Sequence, residues 1–343
     1  MAAAPGGYDG IPIGANVDTV LGMLSVLVSS PVAAFLVGVH AYIWNALTSA
    51  WFMLYLAVFL AKAFVSWLKH DGGLRRKIKW DRQVVLLTGG AHGVGLCLLR
   101  RLSKTGARIA VLDIADLPEP KLSNVYFYKC NLADTRQLPS IVEKIENDLG
   151  AVTVLVNNAG TLCPKLVSEQ EFEDSERVIN VNFAAPVQLT RMLLPGMLRS
   201  PHAHIVFVAS TLSFIGVPQL ATYTATKAAI ALFQDSLKLE LRSRLGAHRV
   251  HTTALFPSKI SSGMFSGTEV PEWLSPVLSP DFVAENIFGA LDEARDGEIY
   301  LPAYANLTPV YMVLPQLGRA FAHWVAGSLD SMRTFKGYTH GSD

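Results

Sequence analysis

Tyr223 and Lys227 stand four residues apart in the stretch YTATK. On a helix, residues at that spacing share one face, which sets a phenol beside an ammonium. A phenol with a pKa of about 10 is a poor base at neutral pH, and a neighbouring cation favours its ionised form. Unit charges about 4 Å apart at an intermediate dielectric interact by about 4 kcal/mol, or about three pKa units, while desolvation acts the other way. The pair is therefore a candidate proton donor and acceptor. It is also common by chance. A solvated surface pair is the plainer reading unless other residues supply a cofactor, a hydride path and a substrate site.

A cofactor site is written upstream. QVVLLTGG is a short β-rich run ending in glycine, followed by AHGVG and then by LCLLRRLSKTG, which has helical spacing. Strand, glycine loop and helix in that order let backbone approach a pyrophosphate at a helix N-terminus. The glycines are Gly89, Gly93 and Gly95, with His92 and Val94 between them. A second strand, ARIAVLD, ends at Asp113, 18 residues beyond Gly95. A carboxylate there accepts hydrogen bonds from ribose hydroxyls and repels a 2′-phosphate, which favours NAD(H), with NADP(H) as the alternative. His92 is a basic group able to help hold a phosphate.

Further β runs follow at Val125–Cys130, Val152–Gly160, His204–Ser210 and Val250–Pro257, with helical stretches near Thr135–Leu149, Glu171–Leu198 and Thr222–Arg244. The alternation predicts an α/β fold with a doubly wound parallel sheet of the Rossmann type. The candidate residues fall at or beyond the carboxyl ends of its strands, where such sheets bind ligands.

The chain of 343 residues has a net charge of +1, which argues against a nucleic-acid partner. Cys97, Cys130 and Cys163 show neither disulfide nor metal-ligand spacing and predict small buried residues in a reduced compartment. Half of the residues are hydrophobic and only 17% are charged. That excess is concentrated near the start, where Thr19–Ala61 contains no Asp, Glu, Lys or Arg. The run is roughly twice the about 20 residues one membrane span needs. Lys69, Arg75, Arg76, Lys77, Lys79 and Arg82 follow it and outnumber Asp71 and Asp81, which predicts a cytosolic catalytic part. The expected organisation is a membrane anchor over 1–70 with one or two apolar helices, a basic linker over 71–82, the Rossmann domain over 83–302, and an apolar membrane-associated tail over 303–343.

The motifs TGGAHGVG, NNAG (Asn157–Gly160), NVNF (Asn180–Phe183), Ser210 and YTATK, with Ser210 13 residues before Tyr223, resemble the short-chain dehydrogenase/reductases over roughly Trp80–Pro302. The resemblance implies hydride transfer between a carbinol carbon and a nicotinamide. Tyr223 would be the acid or base, Ser210 would hydrogen-bond the substrate oxygen, Asn182 would hold a relay water, and Lys227 would bind the nicotinamide ribose. It extends the cofactor-binding set to Asn131, Leu132, Asn158, Ala159, Gly160, Pro257 and Ile260. The sequence departs from the family pattern at Ser258, usually Gly, at Ser262, often Thr, and at Asn131, usually Asp. The region Gly263–Pro280, with Met264, Phe265, Trp273, Leu274 and Leu278, is expected to form an apolar substrate lid.

With the apolar block and the tail, the chain resembles the membrane-bound branch that acts on retinoids, hydroxysteroids and related lipid alcohols. That branch implies endoplasmic reticulum or lipid droplet as the location, and the family implies a homodimer formed through the helices carrying Asn182 and Tyr223. A ketosphinganine or fatty-acyl ketone, a soluble sugar or polyol dehydrogenase, and a catalytically idle lipid-surface scaffold are the competing readings.

Overall fold

The computed structural model describes residues 35, 38–45, 49–51, 53, 54, 57, 78–120, 122–268, 271 and 276–336. The chain divides into two compact units, Met1–Leu74 and Arg75–Asp343. In the first unit the described residues are helical and exposed. Most of the expected Thr19–Ala61 anchor, and Trp273 and Leu274 of the expected lid, lie outside the described residues. Among the described residues no helix is long and apolar enough to cross a membrane.

The second unit is a seven-stranded parallel sheet with helices on both faces. Its strands are β1 (Val84–Thr88), β2 (Arg108–Asp113), β3 (Val125–Lys129), β4 (Val154–Asn157), β5 (Ala203–Val208), β6 (Val250–Pro257) and β7 (Gly297–Leu301), in spatial order β3-β2-β1-β4-β5-β6-β7. Every residue of β1 and β4 is buried, as expected where crossover helices cover both faces of a parallel sheet.

Because strand side chains alternate between faces, β1 divides its residues between two cores. Val84 and Leu86 join the core formed by α2 (Leu138–Leu149), α4 (Ala185–Arg199) and α5 (Ala221–Ser243). Val85 and Leu87 join the core formed by α1 (Gly93–Leu102) and α6 (Pro280–Asp292). Phe207 of β5 is completely buried in the first core, and replacing such a ring by alanine typically costs about 3–5 kcal/mol. The strand order reverses at β1. The chain passes outward through β2 and β3 and then returns to the other side at β4, which opens a crevice beyond the carboxyl ends of β1 and β4.

Three details depart from the expected elements. The single helix expected near Glu171–Leu198 is α3 (Phe172–Ile179) and α4 joined by a π-helical turn over Asn180–Ala184. Strand β7 and helix α6 complete the sheet beyond the elements read from the sequence. The expected apolar tail is a 3-10 segment over Ala303–Val313, a short helix α7 (Gln316–Ala326), and a run of turns that returns to the domain.

Candidate active site

A cleft of ≈ 600 Å³ lies over the carboxyl ends of the strands. Its walls include Gly89, His92, Gly93, Val94, Asp113, Asn131, Leu132, Asn158, Ala159, Gly160, Pro257 and Ile260, together with Ser210, Tyr223 and Lys227. One cavity therefore joins the residues read as a nucleotide site to three of the four read as catalytic.

The glycine loop is braced by side chains at the end of β1 and just beyond the end of β4. Thr88 Oγ1 accepts from the backbone N–H groups of Asn158 and Ala159, each at 3.1 Å. Asn158 Nδ2 donates to the carbonyls of Thr88 at 3.0 Å and Gly89 at 2.9 Å. The amide of Asn158 thus fixes the loop. Gly95 is absent from the cleft wall and serves packing instead: a Cβ there would lie 1.8 Å from the carbonyl oxygen of Gly89. Only glycine lets α1 come so close to the loop.

Asp113 ends β2 with its carboxylate accepting two backbone N–H groups, from Ala91 at 2.9 Å and from Ala115 at 3.1 Å. It both shapes the loop and places a negative charge at the cleft. Asn131 accepts from the N–H of Ala133 at 3.0 Å at the same end.

At the other end, Ser210 leaves β5 and caps the short 3-10 turn Thr211–Ser213 by accepting from Leu212 N–H at 3.1 Å. Tyr223 lies in the first turn of α5, with its ring edge-to-face against Phe265 at 5.7 Å. Lys227, one turn on, donates from Nζ to the carbonyl of Val208 at 2.8 Å, and its Nζ lies 5.7 Å from the centre of the Tyr223 ring. All three residues are more than nine-tenths buried.

Burial decides the acidities, which corrects the sequence-based expectation of a phenol made acidic by the lysine. The Tyr223 hydroxyl is pushed up to about 12 by desolvation, and the hydrogen bond with Ser210 pulls weakly the other way. Desolvation also pushes the Lys227 ammonium down to about 8.

Asn182 is buried in the π-helical turn and stands behind the cleft wall. Its amide oxygen accepts from Thr161 N–H at 2.8 Å, and its Nδ2 donates to Thr161 O at 2.9 Å and Thr226 Oγ1 at 3.1 Å. The extra residue of a π turn re-aims a side chain without ending the helix, and here Asn182 joins α3–α4 to α5 and to the loop after β4. A Cβ on Gly160 would lie 3.6 Å from Lys227 Nζ and 3.7 Å from Asn182 Oδ1. The glycine therefore keeps open the small space these two groups flank.

The cleft fits a nicotinamide dinucleotide. Its wall carries glycines and Asp113 at one end and Ser210, Tyr223 and Lys227 at the other. Ser258 Oγ, beside Pro257 on the wall, is buried with no hydrogen-bond partner among the described residues, and a polar ligand group there would satisfy it.

Several wall residues went unread in the sequence. Leu162 and Pro164 come from a loop without a motif, and Val181 lies inside the NVNF stretch but was not itself singled out. Phe335 arrives from the far end of the chain, within the expected membrane-associated tail over 303–343, where nothing marked it as a residue of the cleft.

A sequence model of the short chain dehydrogenase family matches residues 83–272. Dehydrogenase RED2 of Cochliobolus heterostrophus is 32% identical over 52% of this chain and 68% of its own. Mouse epidermal retinol dehydrogenase 2 is 28% identical over 73% of this chain and 84% of its own. Human 17-beta-hydroxysteroid dehydrogenase 13 is 27% identical over 66% and 76%. The ligand-free structure of Thermoplasma acidophilum aldohexose dehydrogenase superposes with a TM-score of 0.56 at 22% identity, over 64% of this chain and 92% of that one, a likeness of fold.

Proposed function

The chain belongs to the short-chain dehydrogenase family and is an NAD(P)-dependent alcohol dehydrogenase or reductase; from that premise we propose that it acts at a membrane, on the hydroxyl, ketone or aldehyde of an apolar lipid such as a retinoid, steroid or long-chain alcohol. The observation that carries this reading is the cleft wall around Tyr223. Leu162, Met264, Phe265 and Phe335 converge there with Ser210 and leave an apolar chamber beside a proton donor.

The nicotinamide, when bound, accepts or supplies the hydride. Tyr223 holds or receives the proton of the substrate oxygen, and Ser210 orients that oxygen by a hydrogen bond. The high proton affinity of the buried phenol suits the acid role in carbonyl reduction. As a base it works only with positive charge close by, which Lys227 supplies. Asn182 acts as a positioning residue that holds the loop after β4 against α5 and keeps a proton path open beside Lys227. Asp113 favours NAD(H) over NADP(H), and Gly89, Gly93 and Ile260 bring backbone to the dinucleotide.

The membrane part of the proposal is supported by the apolar run Thr19–Ala61 and by α7, no residue of which is buried. Leu317 is 86% exposed and Trp324 75%, with Phe321 between them on the same face. An endoplasmic reticulum or lipid droplet surface, with the catalytic unit in the cytosol, agrees with the basic residues that follow the apolar run. Exposed Leu232 and Leu239 on α5 support a homodimer.

The test is oxidation of retinol, a hydroxysteroid and a long-chain alcohol by the full chain in vesicles with NAD+, beside Tyr223→Phe. Wild type turns over at least one of them, and the variant loses about 10²–10⁴ of the rate while retaining NADH binding by fluorescence. NADH binding without turnover of any apolar alcohol or ketone favours the idle scaffold instead.

A further inference from the structure

The end of the described chain returns to the site. After α7, the turns through Ser331 bring Met332 into a small cluster with Leu162, Val217, Leu220 and Tyr223, where it is 4% exposed. Phe335, three residues later, packs on that cluster and also presents itself to the cleft. The backbone is fixed on both sides of it. Phe335 N–H donates to Met332 O at 3.2 Å, and Lys336 N–H donates to Ser266 O at 3.1 Å.

The contact with Ser266 falls on the lid loop next to Gly267, whose φ is +78°. A Cβ at Gly267 would stand 2.5 Å from Thr334 O and 3.0 Å from Lys336 N. Glycine there serves two needs, the left-handed backbone and the close crossing of two chains. The next residue, Thr268, accepts Lys259 Nζ at 2.6 Å through its carbonyl. The lid is thus tied to the domain by Lys259 and to the C-terminal segment at Gly267.

We propose that Ser331–Lys336 is a strap that completes the substrate chamber, with Phe335 determining specificity for the apolar body of the substrate, Met332 positioning it, and the crossing at Gly267 holding both in register. The proposal rests on the reading of this cleft as an apolar alcohol site. Its physical basis is area. A substituent long enough to reach Phe335 loses more water-exposed apolar surface than a short one, and the gain scales with that surface. The wall comes from a segment more than 100 residues from Tyr223, so it can vary without disturbing Ser210, Tyr223 or Lys227.

The experiment uses the full chain, NAD+ and a series of alkan-2-ols from propan-2-ol to dodecan-2-ol, with Phe335→Ala, Phe335→Leu and Gly267→Ala beside wild type. For wild type, kcat/KM rises with chain length. Phe335→Ala flattens that rise by at least about tenfold at the long end, an effect carried in KM. Phe335→Leu restores most of it. Gly267→Ala reproduces the flattening with every wall side chain present, and NADH affinity by fluorescence stays within about twofold of wild type, because the strap is held by the lid loop at Ser266 and by the apolar cluster at Tyr223. A wild-type slope that the variants keep, or a loss equal at all lengths, overturns the strap alone. A wild type with no slope overturns the strap and the apolar-substrate reading together.

Discussion

Lys227 approaches the Tyr223 ring to 5.7 Å from its centre while giving a hydrogen bond to the Val208 carbonyl at 2.8 Å, and both side chains are nearly closed to solvent. The ammonium is thereby held on the backbone at the end of β5, two residues before Ser210. In this arrangement each titrating group is displaced toward its neutral form, because burial penalises charge in both.

The displacement predicts a stability profile in alkali. Lys227 titrates at about 8 in the fold against 10.5 unfolded, so between those values the unfolded chain binds more protons and stability rises with pH. Tyr223 titrates at about 12 against 10. Its contribution is fully present below pH 10 and is lost as pH rises through 12. In urea unfolding, the stability of wild type relative to Lys227→Met should climb by roughly a few kcal/mol from neutral pH to about 10.5. A difference that stays flat means that the ammonium is solvated.

A second profile comes from the opposite end of the sheet. His202 and His204 flank His251, with ring centres 5.5 Å and 5.7 Å away. His251 pairs with Asp296 at 2.8 Å, and Arg242 pairs with the same carboxylate at 2.6 Å. Desolvation first, and then the neighbouring His251, push His202 down to about 4 and His204 down to about 3. A lowered histidine contributes stability that is present above 6.5 and is lost as pH falls toward the folded value. Each tenfold change in proton affinity is worth about 1.4 kcal/mol, so the pair makes the fold acid-sensitive. His204→Gln, which keeps a side-chain partner for Thr253, should flatten the acid limb of a thermal-unfolding series between pH 7 and 4.5. An unchanged limb would assign the loss to other groups.

Under the proposed function, cofactor choice turns on Asp113. Asp113→Asn keeps an acceptor for the N–H of Ala91 or Ala115 and removes the charge. The ratio of kcat/KM for NADP+ to that for NAD+ should rise at least about tenfold, since a like-charge contact with the 2′-phosphate disappears. Stability should fall by about 1 kcal/mol for the weakened acceptor. A ratio that stays at the wild-type value places discrimination elsewhere in the loop.

Much of this was legible in the chain itself. The strand–glycine–helix order, Asp113 at the end of β2, and the spacing of Ser210, Tyr223 and Lys227 are local signals, and local signals fix an element and the residues at its end. Six of the seven strands follow from runs of branched and aromatic residues. β7 did not, because GEIYL is short and lies among polar neighbours. The π turn at Asn182 carries no periodicity of its own, so a continuous helix was the natural reading of that stretch.

What the tertiary structure alone decided is what surrounds each group. Proton affinities depend on the water removed from Tyr223, Lys227, His202 and His204, and that removal is the joint work of segments far apart in the chain. The docking of Phe335 beside Tyr223 is of the same kind. Residue types along a chain determine which elements form and what chemistry they carry. Only the packed fold determines which distant side chain closes a site, and how strongly burial shifts the charges inside it.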